Sequence, residues 1–90
     1  MGHRADGREL VHVGGDGAAL VDRMRAPLLK ALSGRGAFYA VRVNALGPGG
    51  AVLVSITASK GRIPLLFGPG ELKAAHISQV VRAALDGAAL

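Results

Sequence analysis

The sequence predicts an α+β fold, a two-layer β-α-β-β-β-α sandwich in which two helices cover one face of a mostly antiparallel sheet. Residues 37–67 contain three runs rich in β-branched and aromatic residues, separated by glycine-bearing turns, which is typical of a β-meander. A short alternating run near the start predicts one more strand, and two segments with apolar residues at helical spacing predict the helices. The 90 residues suit a single domain.

The start of the chain predicts a tail and then a strand. Residues 1–8 are polar and are expected to form a flexible N-terminal tail, which leaves residues 9–90 as a single α+β domain. Residues 9–13 alternate and predict the first strand, which the glycine-rich run at residues 14–17 should end. Asp16 is expected to cap the following helix, because its carboxylate can accept hydrogen bonds from first-turn amides.

The first helix is predicted over residues 18–32, where apolar residues recur every three or four positions. Pro27 lies inside this pattern, and proline costs ~3 kcal/mol in a regular helix interior. Either the helix is kinked, or it consists of two pieces with Pro27 in the first turn of the second. Gly34 and Gly36 are expected to end it.

The meander is expected to contain three strands, at residues 37–46, 51–59 and 62–67. In the first turn, Pro48 and Gly49 occupy the second and third positions, which suits a tight turn. Lys60 and Gly61 are expected to form the second turn. Because Pro64 lacks the amide donor that a central strand needs, the third run is predicted to be an edge strand.

The last helix is predicted to follow Pro69, since proline is favoured in a first helical turn. An apolar stripe then runs from Leu72 to Leu85, and Gly87 is expected to end the helix.

Charge and composition restrict the classes of function. The chain has eleven Lys and Arg and six Asp and Glu, which gives a formal net charge of +5. This charge suits nucleic acid, an acidic protein or an anionic surface as a partner. A basic surface with no dedicated partner is the alternative. The chain has no cysteine, which excludes disulfides and thiolate chemistry. No signal peptide or membrane-spanning run is recognisable, so a cytoplasmic protein without membrane contact is expected.

Chain direction predicts that scattered cations meet at one end of the domain. If the strands and helices pack in the order predicted, Arg35, Lys60, Arg62 and Arg82 gather where both helices end. One interpretation is a nucleic-acid-binding rim that contacts phosphates, helped by Arg42. The other is that these cations only stabilise the helix C-termini, each by ~0.3–1 kcal/mol.

The sheet face opposite the helices is predicted to carry an apolar patch. Strand alternation assigns Leu10, Phe38, Leu53 and Leu66 to this face. Exposed patches of this kind usually mark an interface. A second copy of the chain, forming a homodimer, or another protein, as for an inhibitor, immunity or accessory factor, would cover it.

No catalytic, cofactor or metal site is predicted. The histidines His3, His12 and His76 lack ligand spacing, and no carboxylate shares the strand face of His12. The glycine-rich run around Asp16 does not match a phosphate-binding motif. The expected function is therefore non-enzymatic, with nucleic-acid binding as the first hypothesis and protein–protein interaction as the second.

The predicted element order resembles that of two families. The β-α-β-β-β-α order is similar to the small domain of ribosome hibernation-promoting factors, and its α-β-β-β-α part resembles double-stranded RNA-binding domains. Both resemblances imply RNA contact, but they concern element order alone. The lysine-rich helix start of the RNA-binding domains is absent, since Glu71 and Lys73 stand there, and no functional residue is carried over.

Overall fold

The computed structural model describes residues 10–90, so the predicted tail at residues 1–8 lies outside the described residues. The described elements are β1 (Val11–Gly15), α1 (Ala18–Leu32), β2 (Tyr39–Leu46), β3 (Ala51–Ala58), β4 (Gly61–Phe67) and α2 (Ala74–Gly87). They form one four-stranded sheet in the order β1-β2-β3-β4. Strands β1 and β2 are parallel and the other pairs antiparallel, which confirms the predicted α+β fold with its mostly antiparallel sheet.

The core lies between one face of the sheet and the two helices. Alternate residues of β2 and β3 are buried, from Tyr39 to Val43 and from Val52 to Ile56. They pack with Met24 and other apolar residues of α1 and α2. Burying each large apolar side chain contributes about 1.5–3 kcal/mol, which explains why a core with few aromatic residues suffices.

The glycine pair of β1 does not end that strand, contrary to the sequence prediction. Gly14 pairs with Arg42 and Gly15 with Val43 of the parallel neighbour β2. A Cβ atom at position 15 would overlap the carbonyl oxygen of Val43. Close approach of the two backbones therefore requires glycine here, and pairing with β2 outweighs the weak strand propensity of glycine.

Asp16 is not the cap of α1, so that prediction is wrong. Gly17 is the N-cap residue, and no side chain caps this end. The Asp16 carboxylate instead lies 3.7 Å from the Arg42 guanidinium. With the Asn44 amide oriented so that its nitrogen faces Asp16, that nitrogen donates to Oδ2 over 3.1 Å. The Asp16 carboxylate therefore interacts with polar side chains of β2 and not with the first-turn amides of α1.

Pro27 lies inside a single continuous helix, so the two-piece alternative is wrong. The proline is buried where α1 packs against α2. Its carbonyl oxygen accepts a hydrogen bond of 3.0 Å from the hydroxyl of Ser78 on α2. Packing between the helices stabilises this segment against the intrinsic cost of the proline.

The meander forms as predicted, but its turns differ in detail. Ala58 pairs with Gly61, so Ser59 and Lys60 form the second turn and Gly61 begins β4. In the first turn, the left-handed backbone conformations fall on Gly47 and Gly50 rather than Gly49. Strand β4, which contains Pro64, lies at the sheet edge as predicted.

Pro69 does not open α2, because a short 3₁₀ turn (Pro69–Glu71) intervenes and α2 begins at Ala74. The carboxylate of Glu71 accepts a 2.7 Å hydrogen bond from the amide of Gly68, which stabilises this turn. Gly87 is the last residue of α2.

Candidate functional site

The C-termini of both helices, the start of β2 and the β3–β4 turn meet at one end of the molecule. The Tyr39 hydroxyl at the start of β2 donates to the Leu90 carbonyl, just after α2, over 3.0 Å. A Cβ at Gly61 would lie 3.9 Å from the Leu90 side chain. We call this region the basic end and define it by five cations, Lys30, Arg35, Lys60, Arg62 and Arg82.

Arg35 is held within this end by its own chain. Its Nε donates to the Tyr39 hydroxyl over 3.0 Å, and a second guanidinium nitrogen donates to Asp86 over 3.1 Å. The bond to Tyr39 raises the pKa of the Arg35 guanidinium above its ordinary value; burial opposes this rise, and Asp86 adds to it. Because its side chain is only 26% exposed, Arg35 is better placed to position the two chain segments than to reach a ligand.

The other predicted rim residues are more accessible. Lys60 is in the β3–β4 turn, and Arg62 follows it in β4. Arg82 lies one turn before Asp86 on α2. All three are exposed, and none forms an ion pair within 4 Å with an acidic residue of the described chain.

Sequence reasoning missed Lys30, which lies in the last turn of α1 and is exposed. Its place near the C-terminus of a predicted helix, on the side away from the apolar stripe, is the signal that could have identified it. The structure thus adds a fifth cation to the predicted four.

Acidic residues are concentrated at the other pole, which we call the opposite end. Asp16 precedes α1, Asp22 lies in the first half of that helix, and Glu71 precedes α2. Of the four acidic residues within 10–90, only Asp86 lies at the basic end. Because Arg23 and Lys73 lie beside these acids, charge is nearly balanced at the opposite end, whereas the basic end carries an excess of positive charge.

Arg42 does not belong to the basic end. It lies within β2 on the sheet face away from the helices, which we call the open face, where it pairs with Gly14 and Ser55. Its guanidinium lies 3.7 Å from Asp16 at the opposite end. Although Arg42 is exposed, this pairing compensates its charge in part.

The open face carries the largest apolar side chains left exposed in the described chain. Phe38 is 66% exposed, Leu66 65% and Leu46 44%. Leu53 pairs with Leu66 across β3 and β4 and is half-buried, as is Leu10. Pairing places Leu53 and Leu66 on the face predicted for them, and alternation along β2 and the residue before it places Leu46 and Phe38 there as well. Leu10 precedes β1, and Leu46 was not among the predicted residues.

Among residues 10–90, no three His, Asp or Glu side chains cluster in a way that could hold a metal ion. His12 is exposed on the open face. His76 lies 3.7 Å from Glu71 and packs edge-on against Phe67. His3 lies outside the described residues.

Comparison of the chain with protein-family models, curated proteins and solved structures finds no match. Neither helix between residues 10 and 90 is both long enough and apolar enough to cross a membrane.

Proposed function

We propose that this chain is a small non-enzymatic protein that contacts nucleic-acid backbone through its basic end. The observation that carries the proposal is charge segregation. Residues 10–90 hold nine Lys and Arg and four Asp and Glu, and the basic end takes five of the nine cations but one of the four acids. A surface of this kind attracts a polyanion and aligns it before contact.

The accessible cations are suited to phosphate contact. Lys30, Lys60, Arg62 and Arg82 come from three separate elements and from the turn between two strands, and all four are exposed. Binding as proposed requires that a single strand of nucleic acid contacts several of them at once. The helix C-termini carry partial negative charge at this end, which holds cations nearby but repels phosphate from the helix backbone. Contact is therefore expected at the tips of these long side chains rather than at main-chain amides.

Base-specific recognition is not part of the proposal. Stacking on bases requires exposed aromatic side chains, and Phe38 alone meets this condition in the described chain. Backbone contact without base contact gives binding that depends strongly on salt and weakly on sequence.

A salt titration tests the proposal. Labelled duplex and single-stranded oligonucleotides are titrated with the protein at several salt concentrations, and the association constant is obtained from fluorescence anisotropy. Four phosphate contacts predict a slope of log K against log salt of roughly −3.6 for duplex DNA and about −2.8 for single strands. Absence of binding at low salt, or affinity that does not respond to salt, contradicts the proposal.

A further inference from the structure

We propose that a second copy of this chain covers the open face, so that the protein is a face-to-face homodimer with its two sheets antiparallel. The inference starts from the three large apolar side chains that stay exposed, Phe38, Leu46 and Leu66. Strand alternation and pairing register place all three on the open face, whereas the helix surfaces expose none in the described chain. This inference does not rest on nucleic-acid binding, although Arg62 lies both at the basic end and on the open face.

The size and shape of the open face suit a second sheet. Four strands of up to eight residues cover about 19 by 26 Å, or about 500 Å² in projection. Side chains standing out of the sheet increase the accessible area toward the roughly 600–800 Å² per partner of a small specific interface. Identical twisted sheets pack face to face at about 10 Å, and a second copy has the same width and twist.

The centre of the open face is compatible with burial against itself. Its middle row consists of Gly14, Arg42, Ser55 and Pro64. Arg42 is the charged member, and Asp16 and Asn44 already lie beside it. Arg62 lies on the same face, since it pairs with Thr57, but it is on the edge strand β4, where its charge can stay in contact with solvent. A polyanion would gain little from the partly compensated Arg42, whereas a partner with a near-neutral centre avoids burying an unpaired charge there.

Charge segregation selects the antiparallel arrangement. If the twofold axis ran along the strands, the two basic ends would lie side by side and repel each other. If the axis runs across the strands, the two basic ends lie far apart, and each lies over the partner's opposite end. There Asp16, Asp22 and Glu71 are accompanied by Arg23 and Lys73. This second arrangement avoids the repulsion between basic ends and is therefore favoured.

The first experiment compares oligomeric state between two variants. Sedimentation equilibrium over a dilution series should give the wild type a mass of twice 9.1 kDa. Phe38→Asp should raise the dimer dissociation constant about tenfold or more, because the antiparallel arrangement places position 38 over the partner's Leu46 and so buries an unpaired charge in the interface. Ala19→Asp adds the same charge at an exposed position on α1 and should dimerise like the wild type.

A wild type that stays monomeric throughout the dilution series overturns the proposal, as does a Phe38→Asp variant that dimerises as well as Ala19→Asp. Phe38 is mostly exposed in the monomer, so the variant should keep the wild-type circular dichroism spectrum.

The second experiment does not depend on breaking the interface. The chain has no cysteine, so Ser55→Cys and Thr57→Cys each introduce a single thiol. In the antiparallel dimer the two Ser55 positions face each other at the centre, whereas the two Thr57 positions are separated by about 13 Å along the strands. Ser55→Cys should therefore form a disulfide-linked dimer at least several-fold faster than Thr57→Cys; equal rates contradict the antiparallel arrangement.

Discussion

Two adjacent glycines of β1 have different surroundings, and they provide a test of the fold at the scale of single residues. A Cβ at Gly15 would overlap the Val43 carbonyl oxygen, whereas a Cβ at Gly14 would meet nothing within 4 Å. Gly15→Ala should therefore lower the free energy of unfolding by roughly 1–3 kcal/mol, since the backbone must shift to make room.

Gly14→Ala is the matched control. It should leave the free energy of unfolding unchanged or raise it by up to ~1 kcal/mol, because alanine lowers the conformational entropy of the unfolded chain. Because Gly14 lies on the open face, both variants are measured at a concentration where the protein is monomeric, by urea unfolding followed by circular dichroism. Equal destabilisation by the two substitutions would show that β1 does not approach β2 as described.

The residue scale also shows where sequence reasoning fails. The capping role expected of Asp16 depended on local geometry alone, and a sequence pattern cannot reveal that Arg42 and Asn44 of a neighbouring strand lie close enough to bind the carboxylate. The same holds for Arg35, whose hydrogen bond to Tyr39 is local but whose ion pair with Asp86 spans 51 positions of the chain.

At the scale of elements, one buried hydrogen bond links α1 to α2 beside their apolar contacts. The Ser78 hydroxyl donates to the carbonyl of Pro27, and Ser78 is 4% exposed. Ser78→Ala should reduce the free energy of unfolding by about 1 kcal/mol, because this buried hydrogen bond is lost.

Ser33→Ala is the contrasting variant. The Ser33 hydroxyl oxygen is buried and has no hydrogen-bond partner among the described residues. Its removal should be neutral or slightly stabilising, since a desolvated hydroxyl without a partner contributes nothing favourable. Thermal unfolding of both variants measures the contrast, and a larger loss for Ser33→Ala than for Ser78→Ala would contradict this account of the helix interface.

The elements themselves were largely predictable, and their ends were not. Alternation from Tyr39 to Val43 and the proline at position 64 were sufficient to predict the meander and its edge strand. The second turn moved by one residue because the register is set by how Ala58 and Gly61 pair, not by the residue types in the turn. Pro27 stayed inside one helix because tertiary contacts with α2, which the local sequence does not show, offset its cost.

At the scale of the whole molecule, the positions of the basic end and of the opposite end follow from chain direction. Because β1 and β2 are parallel, α1 must run back to the start of β2, and α2, which follows β4, runs in the same direction as α1. Both helices therefore end beside the β3–β4 turn. This direction was predictable from element order. The placement of Arg35, Lys60 and Arg62 at the same end of the molecule was therefore predictable as well. The placement of Asp16, Asp22 and Glu71 near the helix N-termini follows from the same element order, although it was not predicted.

The most direct test of nucleic-acid binding at the basic end is a pair of charge reversals with equal net charge. Lys60→Glu combined with Arg62→Glu alters the basic end, and Arg23→Glu combined with Lys73→Glu alters exposed positions nearer the helix N-termini. Duplex affinity is measured at one low salt concentration for both double variants. We expect the first pair to weaken binding at least tenfold more than the second; equal weakening by the two pairs would contradict a dedicated site and leave only attraction to net charge.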